Sequence, residues 1–380
     1  MPTDVTLMVE TGGWGGIGHY THCLCTALAQ AGHDICLVTH THRYALAGYD
    51  KTYPVMRVFR GDAFSLEWRR LLSAVKQTGA TRIHFQSILS SRRDWMVFMA
   101  ARLVRSPYAR ILTVHNVIPH AIPHAIRDGR VFYSKRLYRN CSGLILHSAK
   151  SLDTLKALMG PNFNVPCAVI PPGHYDLFTR QSGLSRSAAL DTLDLPDHRY
   201  MIFFGAIRRY KGIDNLLAAV AGIRDWPDDL RVLVAGKPLD DAFEQELLRV
   251  CHEANLDEKV VLRFSYVPES HIAALFEIAD AVLLPYRQID QSGVLLAAMG
   301  AGKSVIATPV GAFPETITPD FGFLAPDATV RGLTEAITRA ISQRHRWQTM
   351  GARAAALATS TYGWPAIASR TIQFYHRLHE

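Results

Sequence analysis

A chain of 380 residues, 48% of them hydrophobic, is long enough to build two ordinary domain cores. Charged residues are 19% with no acidic or Gln/Asn-rich run, which excludes a largely disordered chain, and no apolar stretch reaches the roughly 18 residues needed to cross a bilayer. The net charge of +8 is unevenly placed: residues 1–180 hold 21 Lys/Arg against 10 Asp/Glu, and the remainder 20 against 23. A basic first half attracts something anionic, whether nucleic acid, acidic lipid or a phosphorylated acceptor.

Residues 1–9 carry no basic n-region, so their apolar run reads as a first strand and a cytoplasmic protein is expected. Strand-like runs follow at Val5–Val9, Ile35–Thr39, Arg82–Phe85, Ile111–Val114, Gly143–Leu146 and Ala168–Ile170. Segments of helical spacing separate them; Tyr20, Cys23, Leu24, Ala27, Leu28 and Ala31 mark one such face. The pattern restarts with strands at Tyr200–Phe204, Arg231–Ala235, Lys259–Arg263, Ala281–Leu284 and Ser304–Ala307. This alternation predicts two α/β domains with parallel sheets. Their boundary falls in the strand-poor stretch Tyr175–Arg199, and a ligand cleft is expected where the two sheets' binding ends face each other. The six cysteines form no CxxC pair with a matching partner, so reduced, buried thiols are expected and no zinc site.

The first loop, Thr11-Gly12-Gly13-Trp14-Gly15-Gly16-Ile17-Gly18-His19-Tyr20, joins strand one to a helix. Its glycines admit a ligand close to the backbone, and the helix start offers N–H groups to an anion. Gly13–Gly18 formally matches the dinucleotide fingerprint GxGxxG. The acid that should end strand two is absent, however, since that end reads Thr39-His40-Thr41-His42-Arg43. Acceptor or donor binding therefore stands ahead of a nicotinamide site or a ligand-free turn. His115 follows strand Ile111–Val114, where a histidine can share a proton with substrate; His19, His120 and His147 are lesser candidates.

In the second half, Gly205-Ala206-Ile207-Arg208-Arg209-Tyr210-Lys211-Gly212 runs off a strand end, and Arg and Lys there suit a diphosphate. Gln291-Ser292-Gly293-Val294 opens the small-residue helix Leu295–Ala301, whose first N–H groups would complete the cradle without a metal. Gly311-Ala312-Phe313-Pro314-Glu315 reads as a turn beside it, with Glu315 either a contact or a surface cap.

These segments, with TVHNVIPH, IPPGHYD, VAGKP and the closing YGWPAIASRTIQFYHRL, resemble in their order the GT-B-fold glycosyltransferases of the family 4-like group across the whole chain. The resemblance implies two Rossmann-like domains: residues 1–180 binding the acceptor and 181–361 the nucleotide-sugar donor. A final helix, 362–380, would cross back to the first domain. It implies donor contacts from Gly205, Arg208, Lys211, Gly236, Lys237, Gln291, Ser292, Gly293, Val294 and Glu315, and acceptor contacts from Gly15, Gly16 and Tyr20. No metal or other cofactor is implied, so a chelator should leave activity intact. The chain departs from retaining members at one place: Ile289 and Ala297 stand where a pair of glutamates belongs. That variant is similar to xanthan-type mannosyltransferases, which invert, and points to mannose from GDP-mannose. An inverting route needs a general base, sought at His115, His19 or Glu10.

The expected partners are a nucleotide-sugar donor and a saccharide or lipid-linked acceptor of exopolysaccharide or glycolipid synthesis. Contact with an anionic membrane at the inner face of the cell is expected through the Arg/apolar stretch Arg92–Arg102. No nucleic acid is expected, because no recognised binding module appears. A nucleotide-sugar hydrolase or epimerase of the same fold, or a nicotinamide-dependent reductase, are the alternative enzymes.

Overall fold

The computed structural model describes residues 4–12, 15–41, 52–60, 64–86, 108–117, 124–174 and 183–378. The chain forms two compact units, Met1–Gly173 together with Tyr362–Glu380, and His174–Thr361. The division falls just upstream of the expected 180/181, and the closing segment groups with the first unit. The stretch Arg92–Arg102 and His120 lie outside the described residues, as do Gly13 and Trp14 of the glycine loop.

The first unit is a seven-stranded, wholly parallel sheet. In chain order its elements are β1 (Thr6–Glu10), α1 (Gly15–Gln30), β2 (Ile35–His40), β3 (Val55–Phe59), α2 (Phe64–Thr78), β4 (Arg82–Gln86) and β5 (Ala109–Val114). Then follow α3 (His124–Arg139), β6 (Gly143–Leu146), α4 (Ala149–Met159) and β7 (Cys167–Val169). The strands lie in the order β3-β2-β1-β4-β5-β6-β7. Strands β1 and β6 are buried throughout, as a sheet covered on both faces requires. The sequence reading misses β3. It is an edge strand paired only with β2, and its VMRVF turns Arg57 outward and buries only Phe59, so no continuous apolar run announces it.

The second unit comprises α5 (Arg186–Leu193), β8 (Arg199–Phe204), a 3-10 turn (Arg209–Lys211), α6 (Ile213–Ala221), β9 (Leu230–Ala235), α7 (Asp241–Glu253) and β10 (Val260–Arg263). It continues with α8 (Glu269–Ile278), β11 (Ala279–Leu284), α9 (Gly293–Gly300), β12 (Ser304–Ala307), α10 (Phe313–Thr316) and β13 (Gly322–Leu324). Helices α11 (Val330–Ser342) and α12 (Trp347–Thr361) complete it. Its six parallel strands run β10-β9-β8-β11-β12-β13. Here the short edge strand β13, three residues long, is the one the sequence reading misses.

Helix α13 (Trp364–Arg377) starts at Gly363 with Pro365 in its first turn and packs on α1. Its register is fixed by close contacts. An added Cβ on Gly143 would meet Leu378 and Phe374 within 3.0 Å, and one on Gly173 would meet the Trp364 ring at 2.4 Å. Among the described residues no helix is long and apolar enough to cross a membrane, and no three His, Cys, Asp or Glu side chains gather as a metal site. All six cysteines are free thiols, five of them buried.

Candidate active site

Each sheet reverses its strand order once, between β1 and β4 in the first unit and between β8 and β11 in the second. Loops leaving neighbouring strands part there toward opposite faces and open a crevice at the carboxyl ends. The candidate donor residues all leave the carboxyl ends of β8, β9, β11 and β12.

The crevice in the second unit is built by backbone contact between loops. Gly205 follows β8 at φ 115°, and its N–H donates to the Ala235 carbonyl at 3.0 Å. Gly236 ends β9 so close to it that a Cβ there would lie 2.0 Å from the Gly205 carbonyl oxygen. Gly212 adopts φ 68°, capping the 3-10 turn and starting α6, and its Cβ position lies 2.1 Å from the Pro285 oxygen. The loop after β11 is tied to that turn by Arg287, whose N–H donates to the Tyr210 carbonyl at 2.7 Å. The Arg287 guanidinium donates to the Arg209 carbonyl (3.0 Å), Asp214 (2.6 Å) and Asn215 (2.7 Å). Gly311, φ 57°, presses on the Ile289 carbonyl, and Ala312 N–H donates to the Asp290 oxygen at 3.2 Å. The turn predicted beside the Gln291–Val294 segment does lie there.

Two cations stand in this frame. Arg208 is exposed on an extended residue ahead of the 3-10 turn. The Lys211 ammonium lies over the rings of Phe203 and Tyr286, 5.6 and 5.4 Å from their centroids. Burial, and then the Arg208 charge, bring its pKa down to about 8. Neither cation forms an ion pair among the described residues. Arg209, between them in sequence, is turned away: it pairs with Glu246 at 2.9 Å and covers the Phe243 ring at 4.4 Å. Helix α9 begins at the buried N-cap Ser292, whose hydroxyl accepts from Leu295 N–H at 3.3 Å. Helix α9 begins at Gly293, two residues before the expected Leu295. Lys237 has an exposed side chain and gives its carbonyl to Ile207 N–H at 3.0 Å. Glu315 is exposed in the first turn of α10. The sequence reading does not single out Arg287 or Asp214, because their pairing spans 73 residues and becomes visible only when the loops meet.

The first unit's candidates sit at the ends of β1 and β5. Glu10 is 5% exposed; Gly12 N–H donates to its Oε1 at 2.8 Å and the Thr39 hydroxyl to its Oε2 at 3.3 Å. That carboxylate therefore braces the glycine loop against β2. His115 belongs to a hydrogen-bonded chain. His147 Nδ1–H donates to the Ile170 carbonyl at 2.9 Å, which leaves its Nε2 to accept from His115 Nδ1–H at 3.2 Å. His115 Nε2 then carries only a lone pair; it lies 3.0 Å from the Gln86 side-chain oxygen, and a hydrogen bond there requires the Gln86 amide to be flipped so that its NH2 faces the ring. His84 continues the chain, bonded to Thr113 at 2.7 Å and to Tyr375 of α13 at 2.6 Å. Both ring nitrogens of His115 are thus engaged inside its own unit.

Tyr20, an expected acceptor contact, is 2% exposed and packs edge-on against His115, His147 and Trp364, with centroids 5.0, 5.2 and 5.5 Å away. Gly15 and Gly16 form the first turn of α1, Gly16 exposed, and His19 lies half-buried one turn later.

Burial lowers the pKa of His84 to about 3 and of His147 to about 4, and holds His115 well below the ordinary histidine value. Such groups bind protons more readily unfolded than folded. Their stabilisation is complete above pH about 6.5 and is lost as pH falls toward 4. Melting temperature should fall steeply across that window. His147→Asn, whose amide N–H can still reach Ile170, should reduce the stability lost across that window by on the order of 3 kcal/mol. An unchanged slope would place the acid sensitivity elsewhere.

Residues 14–174 match the family described as Glycosyltransferase Family 4, and residues 198–343 match Glycosyl transferases group 1. The chain belongs to the family 4-like glycosyltransferases. A D-inositol 3-phosphate glycosyltransferase of Kineococcus radiotolerans is 29% identical over 265 residues, covering 66% of this chain and 60% of that relative's own length. Among solved structures, a sucrose-phosphate synthase from Thermosynechococcus elongatus is similar with TM-score 0.79 at 20% identity, covering 99% of each chain. Anabaena HepE, solved with UDP and glucose, has TM-score 0.78 at 17% identity, covering 98% of this chain and 99% of that one. The fold of this glycosyltransferase-family chain is GT-B.

Proposed function

We propose that the protein transfers a hexose from a nucleoside-diphosphate sugar to an anionic saccharide or lipid-linked acceptor, with no metal ion. The observation that carries this is the pairing of Arg208 and Lys211, without carboxylate partners among the described residues, beside the start of α9 at the second unit's switch point. Two cations and a helix N-terminus supply the charge that a diphosphate demands, as a divalent metal would elsewhere. The acceptor belongs to the first unit, whose basic excess favours an anionic one. Relatives named D-inositol 3-phosphate glycosyltransferase fit such an acceptor.

Mannose on GDP and glucose on UDP are the competing donors. The first follows from the Ile289/Ala297 variant, and the second from the UDP and glucose bound in HepE. For an inverting route, the bases to test are His19, His115 and Glu10, of which Glu10 and His115 hold hydrogen bonds within the first unit. Work at the cytoplasmic face of the membrane, in exopolysaccharide or glycolipid synthesis, follows from a lipid-linked acceptor.

A thermal-shift screen against UDP, GDP, ADP and their hexose conjugates tests the donor reading, since a ligand of the folded state raises the melting temperature. One nucleoside diphosphate should raise it, and Arg208→Ala should remove most of the rise. No shift with any of them would sink the proposal. With donor identified, transfer should survive EDTA unchanged, and release of free hexose without acceptor would mark a hydrolase instead.

A further inference from the structure

Helix α3 turns aromatic and basic residues outward. Its inner face buries Ser134, Leu137 and Tyr138, and the Tyr138 hydroxyl donates to the Val117 carbonyl at 2.9 Å. On the opposite face Phe132 is 60% exposed, and Tyr133, on the flank one turn before Leu137, is 38% exposed, with ring centroids 5.8 Å apart at 73°. Arg136 and Arg139, one and two turns beyond Phe132, share its side of the helix and are exposed. Lys135 flanks them. Between Asp128 and Asp153 the chain carries no acidic residue and holds Arg130, Lys135, Arg136, Arg139 and Lys150.

An exposed phenylalanine in ring contact with a tyrosine is not the scattered apolar residue that any surface tolerates. The other large exposed hydrophobics among the described residues are Val169, Leu239, Leu248 and Tyr266, and none shares such a ring contact. Two rings are too small a patch for a stable protein interface of about 1,000 Å². They suit a surface that they can enter, while one-signed charge around them meets an extended plane of opposite sign. Aromatic rings settle at the boundary of headgroups and acyl chains, and arginines there reach lipid phosphates.

We propose that this face of α3 docks on an anionic lipid bilayer, with Phe132 and Tyr133 entering the headgroup region and Arg136 and Arg139 on its phosphates. The inference deepens the lipid-linked acceptor reading. It moves the membrane contact from Arg92–Arg102, which lies outside the described residues, to a helix whose exposed face is defined.

Co-sedimentation with vesicles tests it. The protein should bind vesicles of phosphatidylcholine with about a third phosphatidylglycerol at low salt, and should not bind phosphatidylcholine alone. Phe132→Ser with Tyr133→Ser should weaken partitioning by about tenfold or more, and Arg136→Ser with Arg139→Ser by a similar factor. Each variant should keep the wild-type nucleotide-induced thermal shift, which shows a folded protein and reads the donor site separately. No wild-type binding to the anionic vesicles, or full binding by the aromatic double variant, would overturn the proposal. So would sedimentation equilibrium showing a dimer that Phe132→Ser dissociates, because the face would then belong to a second copy.

Discussion

Lys211→Ala is expected to weaken binding of the cognate nucleoside diphosphate by about 30- to 100-fold, the equivalent of losing one charge-assisted hydrogen bond of about 2–3 kcal/mol. The wild-type protein should carry a second signature. With its pKa at about 8, Lys211 is charged below that pH and progressively neutral above it. A bound diphosphate favours the ammonium form, so donor affinity should be level below pH 8. It should then fall by up to about tenfold per unit as pH rises further. Lys211→Arg keeps its charge throughout and should abolish this fall, even if its bulkier fork binds less tightly than lysine. Calorimetric titration of the two proteins between pH 7 and 9.5 decides it. Parallel curves would remove Lys211 from the diphosphate site.

Gly212→Ala is expected to damage both the second unit's stability and its nucleotide binding. The residue sits at φ 68°, where a side chain costs roughly 1 kcal/mol, and its Cβ would lie 2.1 Å from the Pro285 oxygen. The oxygen is backbone, so relief requires the loop after β11 to draw away from the 3-10 turn. That breaks the Arg287–Tyr210 bond and separates Lys211 from the start of α9. A stability loss on the order of 3 kcal/mol and about a hundredfold weaker nucleotide binding should follow. Gly32 provides the control: its φ is 78°, yet nothing lies within 4 Å of its Cβ position, so Gly32→Ala should show the conformational cost alone. Equal effects from the two substitutions would show that loop contact is unimportant. Chemical denaturation measures both.

Much of this architecture is legible in the chain because parallel strands covered on both faces must be apolar along their length. LRVLVA and ADAVLL could hardly be anything else. Edge strands escape that logic: VMRVF is half-exposed, and GFL is too short to have a pattern. At the candidate site, the helix start at Ser292-Gly293 is readable because capping is local. The glycine requirements at 236 and 311 are not, since each arises from a carbonyl on another loop. The surroundings of Tyr20 are equally illegible: its place one helical turn from a glycine loop is local, whereas its ring neighbours, His115, His147 and Trp364, come from beyond β5, beyond β6 and from α13. Nor does any local signal announce that His84 will bond Tyr375, 291 residues away.

That last bond bears on how the protein is made. Helix α13 supplies Tyr375 to His84, Trp364 to Gly173, and Phe374 to Gly143, all within a unit whose other residues leave the ribosome first. Residues 174–361 form a continuous stretch that can fold once it has emerged, whereas the earlier unit must wait, its His84 pocket and α1 surface open, for residues 364–378 to be translated. A nascent chain stalled before Trp364 would present a finished second unit beside an unfinished first one. The interval between synthesis of residue 173 and of residue 378 is therefore when this chain most needs a chaperone.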